Sequence, residues 1–191
     1  MQRSVGALAS LLGRFDEAEV LLRRANEQDP LNSGGYSALG LAYRTMGRLA
    51  DAEREFRKSI ELSPQRISSH HILAIVLADQ GRDAEALAEA RLEPAEWAQL
   101  TALAYVHHRG GRKKESDEAL QKLEAAHATD SAYQIAAIHS SRGDADAAFA
   151  WLERAIAERD AGAAQMRFEP TFRSLHGDPR WGGLMKKLGF E

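Results

Sequence analysis

The sequence contains no cysteine among its 191 residues. This absence excludes a disulfide scaffold, a thiolate zinc site, an iron–sulfur cluster and a cysteine nucleophile. No stretch approaches the roughly 18 consecutive apolar residues of a membrane-spanning helix, so none is predicted. The first residues also lack the charged start and apolar run of a signal peptide. We therefore expect a cytoplasmic protein that does not associate with membranes.

An excess of charge of one sign is also missing. Lysine and arginine number 25 and aspartate and glutamate 28, which gives a formal net charge of -3. This balance argues against direct binding of nucleic acid through bulk charge. The sequence has no G-x-S-x-G nucleophile motif, no phosphate-binding loop and no G-x-G-x-x-G fingerprint. We therefore expect a protein that is not an enzyme and binds no cofactor.

The seven histidines do not follow a metal-ligand pattern. Two adjacent pairs occur, at residues 70–71 and 107–108, and neighbouring residues of a helix point about 100° apart. An adjacent pair therefore cannot chelate one ion well, and no H-E-x-x-H motif is present. The sequence predicts no metal site.

Glycines recur at a regular spacing. Gly13, Gly47 and Gly81 lie 34 residues apart and each precedes an arginine, and Gly111 and Gly143 continue the series. Apolar residues on both sides of each glycine recur at i, i+3, i+4 and i+7, which is typical of amphipathic helices. Glycine suits the turn because the residue after a helix often takes a left-handed conformation. The pattern predicts helix–turn–helix units and no strand.

The second unit, residues 33–66, resembles the tetratricopeptide repeat (TPR), a 34-residue helix–turn–helix. The residues that carry the resemblance are Tyr36, Leu39, Gly40, Tyr43, Ala52, Phe56 and Pro64. The resemblance implies an all-α, right-handed superhelix of about five TPR-like helix pairs with a C-terminal capping helix. We expect the array to span residues 1–162, in units 1–32, 33–66, 67–96, 97–128 and 129–162, and a capping segment to span 163–191.

Three local features depart from a regular array. Pro94 comes early and predicts a short second helix in the third unit. The pair Gly34-Gly35 is unusual for the start of a helix, and we expect it to loosen that end. In the tail, Asp178 followed by Pro179 predicts the start of a capping helix. Its apolar face would consist of Trp181, Leu184, Met185 and Leu188.

The first helix of each pair lines the inner groove of such an array. We expect a peptide with acidic and apolar residues to bind there, since aromatic rings and arginine carry much of the energy of interfaces. The predicted groove residues are Leu41, Arg44, His71, Ile75, Tyr105, His108, Arg109, Tyr133 and Gln134. Some TPR proteins bind carboxylates through a clamp whose matching positions here are Arg3, Ala7, Ala38, Ser68 and Ile72. Only Arg3 could serve, so that clamp is not supported.

The N-terminal helix carries Val5, Leu8 and Leu12 on faces that a preceding repeat would cover. We therefore expect an interface there, either with a second copy in a homo-oligomer or with an upstream domain. The segments AYQIA, WLERA and GDPRW are similar to the ends of TPR arrays in bacterial signalling proteins with a winged-helix or nucleotide-cyclase domain. The function predicted first is a non-catalytic protein-interaction scaffold. The alternative is the sensory or oligomerising C-terminal region of a bacterial transcription regulator or nucleotide cyclase.

Overall fold

The computed structural model describes residues 2–190 as an all-α protein, with no strand in that range. Consecutive helices form five pairs within the described residues, followed by two short 3₁₀ segments and a last helix. The helices are α1 (Gln2–Leu11), α2 (Phe15–Gln28), α3 (Ser33–Thr45), α4 (Leu49–Leu62), α5 (Ser69–Asp79), α6 (Asp83–Leu92), α7 (Glu96–Arg109), α8 (Lys113–His127), α9 (Ala132–Ser141), α10 (Ala145–Ala157) and α11 (Pro179–Lys187). The 3₁₀ segments are Ala161–Gln165 and Pro170–Leu175.

The glycine spacing correctly predicted the turns between paired helices. All five turn glycines are left-handed, with φ between 72° and 78°, a conformation in which a side chain would be strained. The early Pro94 also had the expected effect, because α6 has 10 residues where α4 has 14. No helix within the described residues combines the length and apolar character needed to cross a membrane.

The chain divides into two compact units, residues 1–102 and residues 103–191. In unit 1 the core consists of the facing sides of paired helices, with Leu22, Tyr43 and Phe56 almost fully buried. The Tyr43 hydroxyl donates a hydrogen bond of 2.9 Å to Glu19, and the Arg48 guanidinium lies 4.3 Å from its ring centre. These contacts join α2, α3 and the start of α4.

Helix α5 of unit 1 is buried on almost all sides. Nine of its eleven residues, from Ser69 to Ala78 with the exception of Ile72, have little or no exposed surface. Its polar Ser69 hydroxyl lies 3.2 Å from Ser37 Oγ and 3.3 Å from Ser59 Oγ. A three-hydroxyl cluster therefore satisfies buried polar groups where α3, α4 and α5 meet.

Unit 2 has an aromatic core around its last two helices. The rings of Tyr133 and Phe172 meet edge to face with centres 5.4 Å apart, and Phe172 also packs against Trp181. Helix α11 begins as the sequence predicted, because the Asp178 carboxylate accepts a hydrogen bond of 2.9 Å from Arg180 N. Its apolar face is buried against the same core through Trp181, Leu184 and Met185, so the predicted capping helix is confirmed.

The capping segment takes the place of a sixth helix pair in unit 2. Arg180 pairs with Asp146 at 2.8 Å, and Lys187 pairs with Glu153; in each case the partners lie 34 residues apart. The 3₁₀ segment Pro170–Leu175 packs on α9, where Ser140 Oγ donates to the Thr171 carbonyl at 2.6 Å. The cap thus keeps the 34-residue register of the repeats, with a 3₁₀ segment in the place of the first helix of a sixth pair and α11 in the place of the second.

Candidate peptide-binding site

Five of the nine predicted groove residues are buried rather than exposed. The exposed fraction of each is between 4% and 8% for Arg44, His71, Ile75, Tyr105 and Tyr133. His71 and Ile75 belong to the enclosed helix α5, and the His71 ring lies edge-on to Trp97 at 5.9 Å. Tyr133 belongs to the aromatic core that the cap completes. These side chains pack inside the protein because neighbouring helices cover more than one face of the helices that carry them.

The other four predicted groove residues keep part of their surface. Leu41 is half-buried on α3 in unit 1. In unit 2, Arg109 is exposed at the end of α7, Gln134 is half-buried, and His108 Nε2 lies 3.0 Å from the Ser141 carbonyl oxygen.

An open apolar depression lies between α1 and α3 in unit 1. It has a volume of about 450 Å³, and we call it the α1–α3 cleft. Ala38 lies on the same stripe of α3 as Gly34 and Leu41, at intervals of four and three residues. Small side chains on this stripe leave the cleft open, while leucines of α1 make it apolar. Its lining is Arg3, Ser4, Ala7, Leu8, Leu11, Gly34 and Ala38.

A smaller cavity, lined mostly by polar residues, shares lining residues with the cleft. Its volume is about 230 Å³, and we call it the Asn26 cavity. Arg3 and Ser4 line both spaces. Asn26 is 8% exposed, and its Oδ1 atom has no hydrogen-bond partner among the described residues. The remaining lining residues are Ala25, Gln28, Asp29, Asn32 and Gly35.

The Gly34-Gly35 pair makes room for these polar side chains. A Cβ atom on Gly34 would lie 2.7 Å from Arg3 Nη1 and 3.1 Å from Arg66 Nη2, and one on Gly35 would lie 2.1 Å from Asn26 Oδ1. Both glycines are buried, and Asn32 caps the helix by accepting a hydrogen bond of 3.1 Å from Gly34 N. The expected loosening of the helix start is therefore wrong, because this end of α3 is capped. The two glycines allow the neighbouring polar side chains to approach the helix backbone closely.

Arg3 and Arg66 differ from most arginines of unit 1 in having no ion-pair partner among the described residues. Arg82, for comparison, contacts Glu85 and Glu53 at 2.6 Å each, and these hydrogen bonds raise the pKa of its guanidinium. Arg3 and Arg66 therefore lie next to the first turn of α3, and neither forms an ion pair with a described residue.

Unit 2 has a cavity of about 450 Å³ where α7, α8, α9 and α10 meet their turns. Its two cations are already paired, since Arg142 contacts Asp117 at 3.0 Å and Lys113 contacts the same carboxylate at 2.5 Å. Arg142 also donates to Ser116 Oγ. His139, also in the lining, lies 3.0 Å from Glu124 and 3.3 Å from Asp144. The charges there are satisfied within the protein, which distinguishes this cavity from the α1–α3 cleft.

The predicted N-terminal interface residues are exposed. Val5, Leu8 and Leu12 show between 45% and 54% of their surface, and all three lie on α1 or directly after it. Leu8 also lines the α1–α3 cleft, so one side chain belongs to both surfaces.

Family comparisons agree with this architecture. Three family models, each described as tetratricopeptide repeat, match the chain at residues 33–66, at 129–159, and at 6–24 with 67–91. Together the matches cover more than half of the sequence. The chain is a TPR protein. A search of the curated proteins gave no match.

Solved structures of other proteins, two of them described as TPR proteins, are similar to this one. TTC0263 of Thermus thermophilus is 18% identical with a TM-score of 0.65, and the match covers 90% of this chain and 97% of that chain. PilF of Pseudomonas aeruginosa is 18% identical with a TM-score of 0.60, at 98% and 90% coverage. YrrB, a TPR protein with an unusual peptide-binding site, is 17% identical with a TM-score of 0.54, at 87% and 89% coverage.

The TPR fold of this protein is that of a scaffold for protein–protein interactions, a class that is generally non-catalytic. Within the described residues no three histidine, aspartate or glutamate side chains are grouped to hold a metal ion. Sequence reasoning missed Asn26 and Arg66 as candidate site residues, and it considered Arg3 only as part of a clamp. The one available signal was the Gly34-Gly35 pair. Glycine destabilises a helix, so two glycines at the start of α3 indicate a contact that a side chain would block.

Proposed function

We propose that this TPR protein is a non-catalytic scaffold that binds a peptide segment of a partner protein in the α1–α3 cleft. The observation that carries the proposal is the cleft itself, in which small side chains of α3 face leucines of α1 beside an arginine without a counter-ion among the described residues. Apolar concave sites with a few placed polar groups are the usual form of binding sites. Of the predicted groove residues, Leu41 continues this face of α3.

The fold neighbours support the same class of function. The YrrB structure is described as having an unusual peptide-binding site, and YrrB shares the TPR fold with this chain. His108, Arg109 and Gln134 in unit 2 keep exposed surface, and contact of a partner with them stays a prediction.

The proposal is tested by selecting peptides from a random 16-residue phage library against the full chain. We expect selected peptides to lose at least tenfold in affinity for Ala38→Glu, because a carboxylate would enter the apolar cleft. Ala50→Glu is the matched control, since Ala50 is exposed near the start of α4 and outside the cleft. If no peptide is selected, or if Ala38→Glu binds as the wild type does, the cleft is not the binding site.

A second candidate function is favoured by the exposed apolar side chains of α1. Val5, Leu8 and Leu12 would pack against a second copy or an upstream domain, as in the oligomerising region of a bacterial regulator or cyclase. Light scattering after size-exclusion chromatography tests self-association. Leu12→Glu is the variant to use, because Leu12 does not line the cleft. A dimer that Leu12→Glu dissociates supports this function, and a monomer at all concentrations argues against self-association.

A further inference from the structure

We propose that the exposed face of α1 binds an amphipathic helix of a partner protein, and that this helix carries a glutamate opposite Arg14. The helix would cover α1 as α2 covers α3 and as α4 covers α5. The proposal rests on the second candidate function, whose surface it assigns to one kind of partner. It does not require that a peptide binds in the α1–α3 cleft.

The apolar residues of α1 occupy positions that are covered in later repeats. Val5 and Leu8 keep about half of their surface exposed. The residues one and two repeats of 34 residues later are at most 3% exposed, and they are Leu39, Ala42, Leu73 and Val76. Within the described residues, no helix covers Val5 and Leu8 to this extent. The face of α1 therefore has the composition of a contact between helices, and such exposed apolar patches mark interaction sites.

The arginine that follows each turn glycine shows where a covering helix would lie. Arg14, Arg48 and Arg82 are the N-cap residues of α2, α4 and α6, with φ between -97° and -84°. Each forms an ion pair with a carboxylate three residues later on its own helix. Arg48 and Arg82 also reach the preceding helix pair, where their Nη1 atoms contact Oε2 of Glu19 at 2.7 Å and of Glu53 at 2.6 Å. The same contact thus recurs with the repeat.

Arg14 makes only the first of these two contacts. It pairs with Glu17 at 2.6 Å, and no second carboxylate contacts it among the residues that the structure describes. Its side chain is 62% exposed, compared with 41% for Arg48 and 37% for Arg82. A helix that packs on α1 in the register of the array would bring a carboxylate to Arg14. Charge complementarity of this kind selects the partner and its register.

The helices that cover the equivalent faces define the sequence of the partner. Residues 19–23 of α2 read EVLLR, and residues 53–57 of α4 read EREFR. In both, the arginine pairs with the glutamate four residues earlier, and the fourth residue, Leu22 or Phe56, is almost fully buried. Glutamate and a large apolar residue three positions later lie on one face of a helix. The partner motif is therefore E-x-x-Φ-R, where Φ is a large apolar residue.

The charges favour a partner of different sequence over a second copy. The first and last helices of the chain, α1 and α11, contain no acidic residue, and α11 ends with Lys186 and Lys187. Helix α1 of a second copy would bring no anion to Arg14, and α11 would bring cations, which repel it. The two helices that carry the E-x-x-Φ-R motif, α2 and α4, already use it inside the chain.

The probe is a fluorescent, hydrocarbon-stapled peptide with the sequence of α4, residues 49–62, and anisotropy measures its affinity for the full chain. The staple is needed because an isolated helix of 14 residues is only marginally stable. Val5→Glu should weaken binding at least tenfold, because a carboxylate would enter an apolar contact. Val20→Glu is the matched control and should bind as the wild type does. Val20 is as exposed as Val5, but its equivalent one repeat later, Arg54, is exposed as well.

An exchange of charges tests the role of Arg14. Arg14→Glu should weaken binding of the peptide about fivefold, the size expected for an exposed ion pair that is replaced by a repulsion. A peptide with Glu53→Arg should likewise bind the wild type more weakly, and it should recover affinity for Arg14→Glu. Arg91→Glu is the control for a change of charge, because Arg91 is exposed at the end of α6, away from α1. No recovery in the exchanged pair would overturn the register of the partner helix.

The remaining outcomes separate this surface from the cleft and from self-association. Ala38→Glu should weaken the phage-selected peptides of the cleft and leave binding of the stapled helix intact. Loss of helix binding in Ala38→Glu but not in Val5→Glu would overturn the proposal, and so would the absence of helix binding up to about 1 mM. If the chain dimerises instead and Val5→Glu dissociates the dimer, a second copy occupies the face. The partner helix then fails, while the second candidate function stands.

Discussion

The carboxylate of Glu93 accepts a hydrogen bond of 3.0 Å from the backbone N–H of His71. Its other oxygen accepts from Ser68 N, also at 3.0 Å, so a buried residue just after α6 caps the start of α5. A negative charge at this position also interacts favourably with the helix dipole. Ser68 adopts a left-handed backbone with φ of 70° and makes no side-chain cap of its own.

Removal of this cap should destabilise unit 1. Glu93→Ala leaves the backbone N–H groups of Ser68, His71 and Ala95 without their acceptor, and we expect the free energy of unfolding to fall by about 2 kcal/mol. Glu93→Gln keeps an acceptor oxygen and should cost about half as much. Urea unfolding followed by circular dichroism measures both, and hydrogen exchange at Ser68 and His71 locates the effect. Equal stability of Glu93→Ala and wild type would contradict the capping role.

Gly40→Ala should destabilise the core of unit 1. The added methyl group would lie 2.8 Å from Phe56 Cε2 and about as close to two neighbouring ring atoms, and Phe56 is 1% exposed. A buried ring has little space to move, so we expect a loss of about 1–3 kcal/mol from overpacking. Thermal unfolding measures the change, and an unaltered midpoint would show that the ring moves without cost.

Gly183→Ala is expected to act in the opposite direction. Gly183 lies inside α11, and a Cβ there would meet no atom within 4 Å. Alanine lowers the conformational entropy of the unfolded chain, which should stabilise unit 2 by about 0.5–1 kcal/mol. A lower unfolding midpoint for this variant would indicate a contact that the structure does not contain.

The Asp178 cap of α11 should contribute a pH-dependent part of stability. Hydrogen bonds from the Arg180 side chain and backbone lower the pKa of Asp178 from its ordinary 3.8 to about 2. Because the folded pKa is the lower one, this stabilisation is complete above pH 4 and is lost as the pH falls from 4 towards 2. The stability difference between the wild type and Asp178→Asn should therefore be largest at pH 6 and should shrink towards pH 2. Urea midpoints at both pH values, compared between the two proteins, test this; a constant difference would refute it.

Tyr133→Ala should lower stability rather than only binding. The Tyr133 side chain is 8% exposed and packs edge to face on Phe172. Truncating a buried aromatic side chain costs about 3–5 kcal/mol. Guanidinium unfolding measures the loss. If the variant keeps wild-type stability but binds its partner more weakly, Tyr133 is a groove residue as the sequence predicted.

The sequence was sufficient to predict the helix pairs because their signals are local. A turn glycine, an amphipathic period and an Asp-Pro start each act within a few residues, and Gly47 and Asp178 took the conformations that their neighbours indicated. The early Pro94 likewise shortened α6 through its own backbone chemistry.

The candidate site was not predictable in the same way, because it depends on contacts between distant residues. Arg3 and Asn26 come from α1 and α2, and Arg66 comes from the segment after α4, so they approach the glycines of α3 only after these helices have packed. The glycines that admit them have no side chain to reveal their role. Tyr133 was assigned to the groove by its position on α9. Its burial follows from Phe172, which belongs to a segment outside the repeat pattern.

The register of the cap has a consequence for lengthening the array. Arg180 and Lys187 find their partners on α10, one repeat length earlier, so the cap recognises the charges of the fifth pair specifically. A designer who inserts further copies of a repeat should place them upstream of residue 129 and keep the last pair and the cap together as one terminal module. The two ion pairs would then form only when the cap follows the fifth helix pair.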